Sequence, residues 1–257
     1  MNHRPNRTPV ICADDYGMNL QITAGILRLA RQEKIQALSC MVNAPDWQDH
    51  ADNLTDLPAS IKIGLHFDLT HPFTPRHRPL HYWIRQALCG KIDAALVTDA
   101  LHSQWNAFVE TTGRSPDHFD SHQHVHTFPI IRHCLLNFIK EKAPAPGMLP
   151  VRDPSPLMAP YPFFKSKILR LVARGFTEEL GPYLANQYFG GLYSLKPRMN
   201  FPSLLNSWVT NAAPGTLIMC HPGEPSDDPT DPISDTRAGE LQALLSFEST
   251  NNLALQR

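Results

Sequence analysis

No stretch of the 257 residues approaches the ~20 consecutive apolar positions of a membrane-spanning helix. Cysteine is scarce: Cys12, Cys40, Cys89, Cys134 and Cys220 are the only five, and no two lie close in sequence. That spacing excludes a CxxC redox pair and a zinc knuckle. An odd cysteine count with no apolar leader leads to the expectation of a cytoplasmic protein. Charge is thin as well, at 18% of residues, and nearly cancels, with 23 basic against 24 acidic groups. A net charge of −1 gives no electrostatic reason to expect nucleic acid or an anionic membrane as partner. Repeats, linkers and low-complexity tracts are missing, and 42% hydrophobic content suffices for a full core. The chain therefore reads as one domain over 1–257, behind a polar tail over residues 1–8.

What is abundant is proline, 24 residues, and histidine, 13. The prolines predict long, stiffened loops. The histidines concentrate in the run from His118 to His126, HisPheAspSerHisGlnHisValHis. On an extended strand side chains alternate, so His122, His124 and His126 would start on one face. Imidazole is the commonest metal ligand, and three of them beside Asp120 point to metal binding rather than to a solvated loop.

Short apolar strands alternate with helical patterns along the chain. Strands are predicted over 9–13, 35–43, 61–70, the histidine run, 148–151, 187–194 and 215–220, with a weak closing strand over 251–257. Helices are predicted from Asn19, as cap, to about 34, and over 47–54, from Asp93 onward, 128–142, 163–174, 202–209 and 236–247. Residues 71–85 read as a Pro/His/Arg-rich loop. Its cluster Arg76, His77, Arg78, His81 and Arg85 is either solvated or a grip for an anionic substrate group. Alternation of strand and helix makes a parallel sheet. Polar residues gather after so many strands that a closed or nearly closed (β/α) barrel of about seven parallel strands is expected, with its site at the strands' C-terminal ends.

Those ends carry Asp14 and Asp15, His66, His122 with its neighbours, and His221. One carboxylate and two imidazoles with open positions suit a catalytic divalent ion; a structural site would more often be closed by four ligands including cysteine. Asp14 and Asp15 are neighbours, so the strand must bend for both to aim inward, a bend that Gly17 would permit. Arg152, ending the fifth strand, either orients Asp14, grips substrate or forms a surface salt bridge. His124 and His126 read as supports that donate N–H to a carboxylate, with Asp120 the natural acceptor.

Four segments, AlaAspAspTyrGly (13–17), GlyLeuHisPheAspLeuThr (64–70), AspSerHisGlnHisValHis (120–126) and CysHisProGly (220–223), fall in order along the chain. Together they resemble the signature blocks of the YdjC-like carbohydrate deacetylases, which include chitooligosaccharide and hopanoid-associated deacetylases. ThrArgAlaGlyGluLeu (236–241) is similar to that family's final helix. The resemblance implies a deformed barrel that uses one divalent metal ion, Mg²⁺ or Zn²⁺, to remove acetyl groups from N-acetylated sugars. It assigns the metal to Asp15, His66 and His122, the base to Asp14 and the acid to His221. Tyr16 replaces a usual Phe, and Gln123 stands where many members have a further His. The partner it implies is an acetylated amino-sugar substrate, with homodimer formation left open. The competing readings are a metal-dependent phosphoesterase and a non-catalytic sugar-binding barrel. The first would want more bridging carboxylates, and the second an eroded ligand set.

Overall fold

The computed structural model describes residues 8–196, 199–228 and 231–248. Most of the polar tail and the expected closing strand over 251–257 lie outside these residues. Six parallel strands build one sheet: β1 Val10–Tyr16, β2 Ala37–Cys40, β3 Lys62–Phe67, β4 Phe119–Ser121, β5 Tyr188–Gly190 and β6 Thr216–Cys220. Their order is β4-β3-β2-β1-β6-β5. The seventh position is filled without a ladder. Val151 bridges Phe119 of β4 and Leu157 bridges Phe189 of β5, so residues 151–157 span the gap between the edge strands. The expected strand over 148–151 is thus reduced to a single bridging residue, for a physical reason: Pro150, Pro154 and Pro156 offer no N–H to a ladder.

The strands are apolar on both faces because each face packs against something. Ile11 and Ala13, Leu38 and Cys40, Leu65 and Phe67, and Ile218 and Cys220 join the outer core beneath the helices. Their alternating neighbours Cys12, Ala37, Leu217 and Met219 gather with Phe189 in a small inner cluster. The inner face also carries Asp14, Ser39, His66, His118 and Asp120, so the curled sheet encloses a polar layer. His66 and Asp120 are directly opposed across β3 and β4. Gly64 makes room for this layer: a Cβ there would stand 2.2 Å from His118 Nε2.

Nine α-helices are present among the described residues. α3 Leu80–Leu88, α6 Phe163–Val172 and α9 Ser234–Ser246 supply residues of the site's cavity, while α1 Leu20–Arg31 and α4 Ala94–Thr112 pack against the sheet. The others are α2 Trp47–Asp52, α5 Ile131–Lys142, α7 Phe176–Leu180 and α8 Phe201–Thr210. Asn19 caps α1 as expected, accepting from Ile22 N at 2.9 Å, and Asp93 caps α4. Two helices depart from the sequence reading. Part of the loop expected over 71–85 is α3, whose Trp83 and Ala87 are buried, and α7 follows α6 after a left-handed Gly175. No helix among the described residues is long and apolar enough to cross a membrane.

Candidate active site

The site forms where β1, β3, β4 and β6 end together. Along β1 the pairing with β2 slips, Ala13 facing Leu38 and Tyr16 facing Cys40. One extra residue is accommodated there, and a bulge of this kind re-aims side chains. Asp15 takes the left-handed conformation, φ 70°, which aspartate tolerates better than most residues. Asp14 and Asp15 both line the same cavity as a result. The bend therefore lies at Asp15 itself, two residues before Gly17, where the sequence placed it.

Only the start of the histidine run is a strand. β4 stops at Ser121, and His122–Thr127 coils into a short 3₁₀ turn kinked by left-handed Gln123 and His124, φ 55° and 57°. Spacing of two therefore fails to place the three rings together. Only His122 reaches Asp15, its Nδ1 3.2 Å from Oδ1. From the other side His66 Nε2 stands 3.4 Å from the same oxygen. The ligand atoms of Asp15, His66 and His122 all lie within 4.8 Å of one another.

The donor set fits a cation. Burial works against a charge on His66, yet Asp120 and Asp14 outweigh it and lift the ring to about 10. His66 is held by Asp120 Oδ1 at 2.6 Å from Nδ1, which leaves Nε2 turned toward Asp15. Burial would also push the Asp15 carboxyl up, but Arg237, His122 and His66 outweigh it and hold the group well below the usual carboxylate range. A point that draws positive charge to a carboxylate and two imidazoles is one a divalent ion can occupy in place of a proton.

Arg152 is fully enclosed, which excludes the surface salt bridge. Its Nη1 and Nη2 donate to Asp14 at 2.6 and 2.7 Å, and Nη2 also lies 2.5 Å from Asp120 Oδ2. It orients Asp14 and joins it to the acceptor of His66. Asp120 takes a further bond from Ser39 Oγ at 2.6 Å. The expectation that Asp120 would serve His124 or His126 is corrected: it serves His66. His126 instead bonds Ser121 Oγ through Nδ1 at 2.6 Å and the Arg152 carbonyl through Nε2 at 2.8 Å. It pins the backbone that carries Arg152. His124 lies against Phe189, ring centroids 5.6 Å apart, and lines the cavity; its Nδ1 has no partner among the described residues.

Burial depresses His126 to about 4 from its ordinary 6.5. A folded-state value below the unfolded one means the unfolded chain binds a proton that the fold refuses. The stability contributed by the neutral ring is therefore present above about pH 6.5 and lost as pH falls toward 4, on the order of 3 kcal/mol. Urea midpoints measured from pH 7 to 4 should fall across that window. A flat profile down to pH 4.5 would contradict the buried, neutral ring.

Four groups to which the sequence reading gave no role, Arg237, Asp231, Glu240 and Tyr193, complete the site. Arg237 of α9 donates from Nη2 to Asp15 Oδ2 at 2.9 Å and from Nε to Asp231 at 2.6 Å. Glu240, one turn later, accepts from the His221 backbone N–H at 2.5 Å and from the Tyr193 hydroxyl. Burial raises the Glu240 carboxyl to about 7. The legible signal was a charged pair at i and i+3 on the helix face that also carries Leu241 and Leu244; charges placed on a core stripe are rarely idle. His221 follows β6, lines the cavity, and is lowered to about 4 by burial. The cavity holds about 520 Å³, room for a sugar unit. Its polar floor is Asp14, Asp15, His66, His122 and His221, and its walls are largely apolar, including Leu80, Ile168 and Leu192.

The model of the family described as YdjC-like protein matches residues 10–254. The chain belongs to the YdjC-like family. A chitooligosaccharide deacetylase from Escherichia fergusonii is 33% identical over 144 residues, 53% of this chain and 57% of that protein. The match thus spans little more than half the length of that curated relative. Among solved structures, a putative cellobiose-phosphate cleavage protein from Enterococcus faecalis V583 superposes with a TM-score of 0.67 at 19% identity, over 98% of this chain and 95% of that one. At that identity the likeness speaks for the fold, which the YdjC-like chain shares along nearly its whole length.

Proposed function

We propose that this YdjC-like protein is a metal-dependent carbohydrate deacetylase, hydrolysing the N-acetyl amide of an acetylated amino sugar to free amine and acetate. The observation that carries the reading is the convergence of Asp15, His66 and His122 on one point of the cavity floor, with Asp14 and His221 lining the same cavity. The name of the chitooligosaccharide deacetylase supports it. Asp15, His66 and His122 would hold one divalent ion. When bound, such an ion lowers the pKa of water and polarises the amide carbonyl. Two imidazoles favour a zinc-like ion over magnesium, which prefers oxygen ligands.

Asp14 accepts the proton of the attacking water at a carboxylate oxygen. Arg152 fixes that carboxylate's orientation through its two-pronged contact, so no rotation is needed at the moment of transfer. His221 enters the reaction neutral, because burial holds it near 4. The proton it gives to the departing nitrogen is therefore the one that Asp14 has taken from the attacking water, passed on to the ring before the C–N bond breaks. Glu240 holds the backbone of His221 in place.

A further observation favours this over a two-metal phosphoesterase. The adjacent acidic cluster of Asp14, His66 and Asp120 already holds the Arg152 guanidinium against both carboxylates. A second cation there would meet a fixed positive charge. A non-catalytic barrel is disfavoured by the intact ligand set.

The test is acetate release from N-acetylated mono- and oligosaccharides, with Zn²⁺ and Mg²⁺ compared. Release of phosphate from phosphorylated sugars, with no acetate from the N-acetylated ones, would replace the reading with its rival. His221→Ala is expected to lower kcat roughly 10²-fold while changing KM little, since it acts on the way to the transition state. An unchanged kcat with a raised KM would make His221 a substrate-binding residue instead.

A further inference from the structure

Helix α6 is apolar on two faces. Ser166, Leu169 and Val172 form its buried stripe. Phe164, Ile168 and Leu171, at i, i+4 and i+7, form a second stripe that faces solvent, 78%, 49% and 57% exposed. Phe163 adds another exposed ring, with Lys167 Nζ 4.2 Å above it. An ordinary surface helix turns charge outward, so large apolar side chains gathered there mark a contact surface.

Charge says what kind. From Pro154 to Thr177 there is no acidic residue, whereas Lys165, Lys167, Arg170 and Arg174 are all present. The neighbouring α3 and the segment before it add the exposed Arg76, Arg78 and Arg85. The net charge of −1 over the whole chain conceals this local excess. A symmetric pairing of two copies through this face would set like charges against each other. An aromatic and aliphatic stripe flanked by Lys and Arg is the pattern of a helix lying in the surface of an anionic bilayer.

Ile168 belongs to both the exposed stripe and the cavity wall, so the outer face runs on into the site. We infer that the α6 face docks on an anionic lipid surface, with Phe163, Phe164 and Leu171 entering the headgroup boundary and the cavity mouth held at the bilayer. This goes beyond the proposed deacetylation and does not rest on it, since docking is read without any turnover.

The experiment is co-sedimentation of the full chain with vesicles of phosphatidylglycerol and phosphatidylcholine, against vesicles of phosphatidylcholine alone. The protein is expected to partition onto the anionic vesicles and to be released by high salt. Lys167→Gln combined with Arg170→Gln should weaken partitioning about 25-fold, at about fivefold per charge. Phe164→Glu should abolish it. All three positions are exposed, so an unchanged thermal midpoint is expected for each variant. Parent protein that stays in the supernatant with anionic vesicles overturns the inference, as do variants that bind like the parent. A dimer in light scattering that Phe164→Glu converts to monomer also overturns it, because the face would then be a protein interface.

Discussion

Asp14→Asn is expected to keep its metal and lose activity by roughly 10²–10⁴-fold, whereas Asp15→Asn loses the metal first and activity as a consequence. The two residues are adjacent and chemically identical, so only placement can give them different work. The bulge at the end of β1 supplies that placement. Asp15 Oδ1 stands between His66 Nε2 and His122 Nδ1, where a cation would complete the set. Asp14 turns to Arg152 instead, and both of its oxygens are held there. An amide at 14 cannot accept a proton, but it leaves the three ligands untouched. An amide at 15 removes the only carboxylate among them, so its activity should recover in part at high metal concentration. Metal content measured beside acetate release on both variants decides the matter. Asp14→Asn protein that comes out metal-free while Asp15→Asn retains its ion would exchange the two roles. Unchanged acetate release in both would remove the metal-hydrolase reading altogether.

Residues near strand ends were legible in the sequence because parallel strands deliver their C-terminal residues to one side. Asp14, Asp15, His66, His221 and the histidine run as a whole follow from that rule and from short apolar runs, whereas His122 was set apart from His124 and His126 by the resemblance to the YdjC-like family. The helix caps Asn19 and Asp93 were legible for a similar reason, since capping depends on local chemistry. The histidine run misled because alternation holds only while the chain stays extended. Two consecutive left-handed residues, Gln123 and His124, turn His124 and His126 to separate partners, and nothing in the residue types announces that turn. The partners themselves lay beyond local reading. Asp120 was offered to its sequence neighbours, but its actual partner His66 lies 54 residues away across a strand register. Arg237 reaches Asp15 over 222 positions. Such contacts are set by how the sheet curls, and pattern within a window carries no trace of it. The barrel class survived because it rests on element order. The seventh strand did not, because its prolines replace a ladder with isolated bridges.

Arg152→Met is expected to destabilise the fold by roughly 3–5 kcal/mol at neutral pH. The guanidinium is 1% exposed and lies between two carboxylates that are themselves buried, Asp14 at 2% and Asp120 at 0%. Methionine matches much of its length and apolar volume, so the loss is chiefly of charge. Asp120 would keep Ser39 and His66, whereas Asp14 would keep no cation bonded to it among the described residues. In the parent, burial pushes Asp120 up, and Arg152 with His66 outweighs this and holds it far below the usual range. A depressed folded-state value contributes stability that is present above the unfolded value, 3.8, and is lost only as pH falls through the folded one. Without Arg152 the balance shifts for Asp120, whose burial then works against its charge with only His66 and His118 left to oppose it. The gap between variant and parent should therefore be widest near pH 7 and narrow as pH drops toward 4. Arg152→Lys should fall between the two, because an ammonium supplies the charge but cannot fork to both carboxylates at once. Adding Asp14→Asn to Arg152→Met should recover part of the loss, since it removes the carboxylate left without a counter-ion. Urea unfolding of the four proteins at pH 7 and pH 4 measures each of these differences. Arg152→Met within about 1 kcal/mol of the parent at pH 7, or a gap that grows on acidification, would show that the buried guanidinium is not what keeps Asp120 ionised.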